Sequence, residues 1–279
     1  MSARYALVGH PIDHSPSPAM HNAGFKALGI DASYELRPTQ PDGFSAVIDA
    51  LRSGALQGAN VTTPLKSLAA AAFDASPLAR RASSANTIYF ADGSWRCEST
   101  DIDGVRHPLQ TRGIKGGEAL VIGAGGAARA AALALEQLGA IVHVAARRLH
   151  TAANLLEEVA PRPRGRSLAL EDLPRDPHTL ERVSLVVQAT PVGLHGEELP
   201  VPWERFAPNP VAFEMLYRDT PFIKAASKRG WVTIRGHEMM LEQGARAFEL
   251  WTGQPAPREV MRDALSAALD TVGDDPRGG

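Results

Sequence analysis

The chain has 279 residues, 44% of them apolar and 22% charged, with a net charge of −2. Such a sequence makes a globular protein of one large domain or two ordinary ones, each with its own core. The charge gives no support for nucleic acid or an anionic membrane as partner. The single cysteine, Cys97, excludes an internal disulfide and a cysteine-built metal site, as suits a reducing cytoplasm.

The first strand is predicted at YALVG (5–9). Gly9, His10, Pro11 and Asp13 then interrupt any leader-like apolar run, and no stretch is long and apolar enough to span a membrane, so a cytoplasmic location is expected. In HSPSPAMHN (14–22), Ser17 before Pro18 predicts a serine-capped helix start. Met20, Phe25 and Leu28, closed by Gly29, predict a helix over 18–28. Capping accounts for Ser17 and leaves Ser15 over. Two hydroxyls at a helix N-terminus also suit a carboxylate or phosphate.

Strands follow at SYELR (33–37), LQGANVT (56–62) and ANTIYF (85–90), with a helix over 43–52. GANVTTPLK places Asn60, Thr62 and Lys66 around a strand-to-helix turn, with Pro64 at a helix start. Lys66 reads either as a surface ammonium or as a proton donor to a carbonyl. ESTDIDG offers Asp101 and Asp103 at a domain junction. There Asp101 either caps the next helix or shares a proton with a lysine in a cleft.

The sharpest motif is ALVIGAGGAARAAALALEQLGA. A buried strand (119–123) runs into Gly123, Gly125 and Gly126, and an alanine-rich helix (126–138) begins. Glycines there permit a tight turn and let the backbone N–H groups at Gly125–Ala127 approach a pyrophosphate; the alternative is a plain glycine-rich turn. The next strand, IVHVA (141–145), ends in Arg147 and Arg148 with no acid nearby. An acid there would hold the ribose 2′-hydroxyl of NAD, whereas two guanidiniums suit the 2′-phosphate of NADP, or else form a solvated pair.

Further strands are expected at SLVVQAT (184–190), VAFEM (211–215) and WVTIR (231–235), with helices over 151–159 and 221–229. This alternation predicts parallel sheets with crossover helices. MMLEQGARAFELWTG has helical spacing, with its Met and aromatic residues as core. The histidines show no metal spacing, and His14 and His21 read as satisfied structural residues. The tail DTVGDDPRGG is expected to fray.

Taken together the motifs resemble the shikimate dehydrogenase family, NADP-linked enzymes that reduce 3-dehydroshikimate in aromatic amino-acid biosynthesis. The resemblance is carried in order by GHPIDHSPSPAMHN, GANVTTPLK, SANT (84–87), STDIDG, GAGGAAR, ATPVG and GHEMMLEQ. It implies that Ser15 and Ser17 bind the substrate carboxylate, that Asn60, Thr62, Asn86 and Gln243 hold its ring hydroxyls, and that Tyr217 lines the same pocket. Lys66 and Asp101 become the catalytic pair. Gly123, Gly125, Gly126, Ala127, Arg147, Arg148, Thr190 and Met215 become the cofactor contacts, with no metal.

The implied fold is α/β: a substrate domain at 1–102, a Rossmann-type NADP-binding domain at 103–236, and C-terminal helices at 237–279 packing back on the first domain. The implied partner is a small-molecule substrate, and the chain a monomer or homodimer. Departures from the family pattern are Ala146 and Arg148 for Asn and Thr, Ser99 and Gln188 for Asn, and Glu214 for Asp. Ser83–Ser84 stand for the small pair before Asn86, and the segment after Tyr217 is shorter. Other readings are a paralogue acting on quinate or a related cyclohexene carboxylate, a non-catalytic NADP-sensing module, and a reductase of acyclic substrates.

Overall fold

The computed structural model describes residues 2–159, 165–175, 177–206 and 208–273. The chain divides into two compact units, Met1–Thr100 with Leu241–Gly279, and Asp101–Met240.

In chain order the elements begin with β1 (Ala3–Gly9), α1 (Ser17–Ala27), β2 (Ala32–Pro38), α2 (Phe44–Arg52) and β3 (Gly58–Val61). Next are α3 (Lys66–Ala72), β4 (Asp74–Ala75), α4 (Pro77–Ala82), β5 (Thr87–Ala91) and β6 (Ser94–Glu98). The second unit follows with α5 (Asp101–Thr111), β7 (Glu118–Ile122), α6 (Gly126–Gln137), β8 (Ile141–Ala146) and α7 (Leu149–Val159). It continues through β9 (Ser167–Ala169), α8 (Pro177–Leu180), β10 (Val183–Gln188), β11 (Val211–Glu214), α9 (Pro221–Lys228) and β12 (Val232–Ile234). Two long helices close the chain, α10 (Gly236–Thr252) and α11 (Arg258–Gly273).

The sheet of the first unit runs β2-β1-β3-β5-β6-β4. The prediction of parallel pairing fails here in part: β1 is parallel to β2 and β3, but β5 is antiparallel to β3 and β6. For β5 and β6 the cause is a two-residue hairpin, Asp92–Gly93, with both φ angles positive at 50° and 77°. An Asp-Gly pair takes that turn readily and needs no crossover helix. The short β4, β9, α4 and α8 hold too few residues to show an apolar period; the hairpin strand β6, in which Trp95 and Cys97 alternate with polar residues, is not among the predicted strands. For α4 a local signal exists, since the Ser76 hydroxyl accepts the Ala79 N–H at 3.0 Å with Pro77 in the first turn.

An aromatic wedge joins helices to this sheet. Tyr5 stacks between Phe25 and Trp251, at centroid distances of 5.2 and 4.8 Å, and Phe25 meets Phe248 at 5.1 Å. The Trp251 indole donates to the Ile88 carbonyl at 3.0 Å. Gly58 makes the approach possible, because a Cβ there would lie 2.4 Å from Trp251 Nε1. Thus α10 is locked on the first unit beyond Leu241, while α1 packs on α11. Helix α11 carries Asp270 to Gly273 of the tail expected to fray; residues 274–279 lie outside the described residues.

The second unit's sheet, β12-β11-β10-β7-β8-β9, is parallel throughout. Numbered within the unit, this is the order 3-2-1-4-5-6 of a doubly wound dinucleotide-binding sheet, which reverses beside its first strand. Alanine lets α6 lie close to the sheet, with Ala128 and Ala130 to Leu135 buried. No described helix is long and apolar enough to cross a membrane.

Overpacking the Trp251 seam tests the wedge. Gly58→Ala is expected to cost about 1–3 kcal/mol of stability, read as a lower urea midpoint at constant slope.

Candidate functional site

In the first unit, α1 begins at Ser17 itself, and Pro16 before it supplies no side-chain cap. The expected roles of the two serines are therefore reversed: Ser15 Oγ accepts the Ser17 N–H at 3.3 Å and donates its own proton to Ser17 Oγ at 3.1 Å. Proline at position 16 has no hydroxyl, so the nearest one upstream does the capping. Ser15 is half-buried and Ser17 buried.

Behind them lies a buried polar network. Tyr34 donates its hydroxyl to Asn60 Oδ1 at 2.9 Å. Asn60 Nδ2 donates to the Asn86 carbonyl at 3.1 Å and to Thr87 Oγ1 at 3.0 Å. Asn86 in turn donates to Thr100 Oγ1 and to Gln243 Oε1, both at 3.0 Å, and accepts the Thr100 N–H at 2.6 Å. Asn60, Asn86 and Gln243, singled out from three distant stretches of chain, thus meet in one network.

Sequence reasoning missed Tyr34, Thr87 and Thr100, which orient those carboxamides. Thr100 lies inside the STDIDG motif; Tyr34 sits in the alternating strand SYELR with no mark of its own. It also missed Asn22, which ties α1 to β2 by exchanging bonds with the Tyr34 backbone at 2.8 and 3.0 Å.

Thr62 stands one residue past β3, half-buried, and its side chain takes no part in the network. Lys66 opens α3 and is half-buried, its carbonyl accepting the Ala85 N–H at 3.0 Å; Pro64 stands two residues before that helix rather than in its first turn. Two readings of histidines need correction. His14 is exposed. His21 is fully buried and stacked on Tyr34 at 4.4 Å, yet neither ring nitrogen finds a hydrogen-bond partner of good geometry. Desolvation lowers its pKa to about 3 against a weaker opposing pull from Asn60, so the ring is neutral.

In the second unit, Asp101 opens α5 and is buried. Gly123, at a φ of +127°, could carry no side chain, because its Cβ would lie 2.7 Å from the Ala189 carbonyl. Gly125 faces open space and caps α6 with backbone alone, so the first-turn N–H groups around Gly126 and Ala127 have no side-chain acceptor. Arg147 and Arg148 follow β8, exposed, with no ion-pair partner among the described residues. Tyr217 is 45% exposed, and burial of its hydroxyl end with the nearby Asp101 charge raises its pKa.

Two departures from the family pattern organise loops. Gln188 donates to the carbonyls of Thr190 and Val192 at 3.1 and 2.8 Å, and accepts the Thr190 N–H and hydroxyl at 2.7 and 2.9 Å. Glu214 accepts the Leu216 N–H at 2.9 Å and the Thr220 hydroxyl at 2.5 Å. By contrast, the buried Ser99 hydroxyl meets no partner. Among the described residues no three His, Cys, Asp or Glu side chains gather into a metal site.

The strand order and glycine turn define an α/β protein of the dinucleotide-binding class. Residues 7–88 match the family model for the shikimate dehydrogenase substrate binding domain, and residues 236–265 that for the shikimate 5′-dehydrogenase C-terminal domain. Shikimate dehydrogenase (NADP(+)) of Anaeromyxobacter sp. (strain K) is 40% identical over 268 residues, 95% of this chain and 96% of its own length. The Halorubrum lacusprofundi protein of the same name is 39% identical over 278 residues, 95% of this chain and 99% of its own. The crystal structure of Thermus thermophilus shikimate 5-dehydrogenase in complex with NADP(H) and shikimate superposes with a TM-score of 0.85, at 37% identity, covering 96% of this chain and 100% of that one. The chain belongs to the shikimate dehydrogenase family.

Burial raises the Glu214 pKa from 4.5 to about 7, against the lowering pull of the Thr220 hydroxyl and the Leu216 and Met215 N–H groups. The folded state therefore binds this proton more tightly than the unfolded chain, and stability is lost as pH rises through that window. Glu214→Gln removes the titration. Its unfolding free energy is expected to match wild type near pH 4 and to exceed it by on the order of 1–3 kcal/mol near pH 8, by urea denaturation at both.

Proposed function

We propose that this protein catalyses the reversible NADPH-dependent reduction of 3-dehydroshikimate to shikimate, the first unit holding the ring acid and the second the NADP. The observation that carries the reading is the buried network joining Asn60, Asn86 and Gln243. Three carboxamides gathered in one network suit a substrate bearing several hydroxyls. The chain acts in the cytoplasm as a monomer or homodimer. The buried Cys97, its thiol pushed up to about 12 by burial and by the negative Glu98 and Asp74, suits that reducing compartment.

The residues present fit NADP. The open space at Gly125 and the uncapped first turn of α6 suit a pyrophosphate, and the exposed Arg147 and Arg148 suit a 2′-phosphate. When bound, the reduced nicotinamide supplies the hydride. Ser15 and Ser17 bind the substrate carboxylate; the Ser15 hydroxyl donates a hydrogen bond to Ser17, which leaves the Ser17 hydroxyl free to donate to the carboxylate. Asn60, Thr62, Asn86 and Gln243 hold the ring hydroxyls, and Tyr217 is assigned to the lining of the same pocket. Lys66, coupled to Asp101, gives a proton to the developing alkoxide and takes it back from the alcohol in the reverse direction, while Asp101 balances the lysine charge.

Positioned proton transfer contributes about 10²–10⁴-fold, so Lys66→Ala is expected to lower kcat by that factor while NADPH affinity holds. Normal turnover in that variant rules the assignment out. Arg147→Ala with Arg148→Ala is expected to raise the KM for NADPH by about ten- to a hundredfold and leave that for NADH unchanged. Initial rates with shikimate or quinate, each with NADP or NAD, test the whole reading; the fastest pair is expected to be shikimate with NADP.

A further inference from the structure

Strands β10 and β11 end side by side on Gln188 and Glu214, which are partners in register. Both side chains are 0% exposed. Neither reaches outward: every bond each makes goes forward into its own loop. Gln188 fastens Thr190 and Val192; Glu214 fastens Leu216 and Thr220. Each is also one methylene longer than the residue the family pattern leads one to expect.

The loops they fasten dovetail. Met215 N–H donates to the Gln188 carbonyl at 3.1 Å. Gly193 lies against Thr220, where a Cβ would come within 2.9 Å of Thr220 Cβ. On the other side, Gly123 of the nucleotide turn touches Ala189 and Thr190 closely enough to exclude any side chain. Fixing the loop after β10 thus fixes the neighbour of the glycine turn as well.

Sheet order says which part of a dinucleotide would meet these loops. Strands β10 and β11 lie on one side of β7, and β8, with its arginines, on the other. A dinucleotide on such a sheet sets its pyrophosphate at the turn after the first strand and its two nucleosides on opposite sides. With the 2′-phosphate at Arg147 and Arg148, the nicotinamide half falls over the ends of β10 and β11. We propose that Gln188 and Glu214 are a pair of positioning residues that set Thr190 and Met215 as the wall against which the nicotinamide half of NADP lies. The inference rests on the NADP reading given above.

The test compares two ligands by titration calorimetry: NADPH, and 2′,5′-ADP, which keeps the adenosine and 2′-phosphate but has no nicotinamide. Gln188→Asn and Glu214→Asp each draw the polar group back from its loop. Each is expected to weaken NADPH by about fivefold or more while 2′,5′-ADP stays within about twofold. Glu214→Gln, whose amide can still accept from Leu216 and meet the Thr220 hydroxyl, is expected to restore NADPH binding. If the shortened variants do not fold, Thr190→Val, which removes the hydroxyl held by Gln188, is expected to give the same split. Parallel loss of both ligands, or no loss of either, overturns the proposal. Wild type unable to bind 2′,5′-ADP overturns the NADP reading and the proposal with it.

Discussion

A carboxamide buried away from water must find partners for its protons and its oxygen, because a buried polar group left unmade costs about 1–3 kcal/mol. Asn60, Asn86 and Gln243 are all buried, and each helps satisfy another. That requirement ties β3, the start of β5 and α10 together, although the chain separates Asn86 from Gln243 by 157 residues. The aromatic wedge serves the same end from the apolar side. Trp251 caps the Ile88 carbonyl two residues from Asn86 and holds α10 where Gln243 can reach the network.

The second unit solves a different problem with the same means. Its parallel sheet leaves strand ends on one edge, and the turns there must be rigid without help from regular hydrogen bonding. Backbone packing does this after β7, where Gly123 admits no side chain. After β10 and β11 it is done by buried side chains that fold forward and satisfy the loop from beneath. Thr190, half-buried, takes part in that support: its hydroxyl donates to Gln188 and accepts the Val192 N–H at 3.2 Å.

Much of this was legible in the sequence where one residue type has one physical use. Glycines between a strand and an alanine-rich helix, and arginines after the next strand, announced the dinucleotide sheet. The β6 strand went unread although an Asp-Gly pair precedes it and Trp95 and Cys97 alternate with polar residues, because five residues are a short run in which to count a period. Capping was misjudged at Ser17 because a Ser-Pro pair does not say whether the serine precedes the helix or begins it; at Ser76 it precedes, at Ser17 it begins. Tyr34, Thr87 and Thr100 could not be found from spacing. Their importance lies in which carboxamide atom each meets, and that depends on strand pairing over long separations.

The network around Asn60 also sets a sign. Both protons of its amide are given to the Asn86 carbonyl and to Thr87, and the Tyr34 hydroxyl holds the oxygen in place. The group cannot turn over without breaking three bonds, so it has no proton to offer a ligand and can only receive one. A hydroxyl set against it is welcome as a donor, while an ether, a ketone or a carboxylate oxygen at the same point meets lone pair with lone pair. A group of that fixed polarity would favour an alcohol over its oxidised form by hydrogen-bond direction, independently of shape or charge.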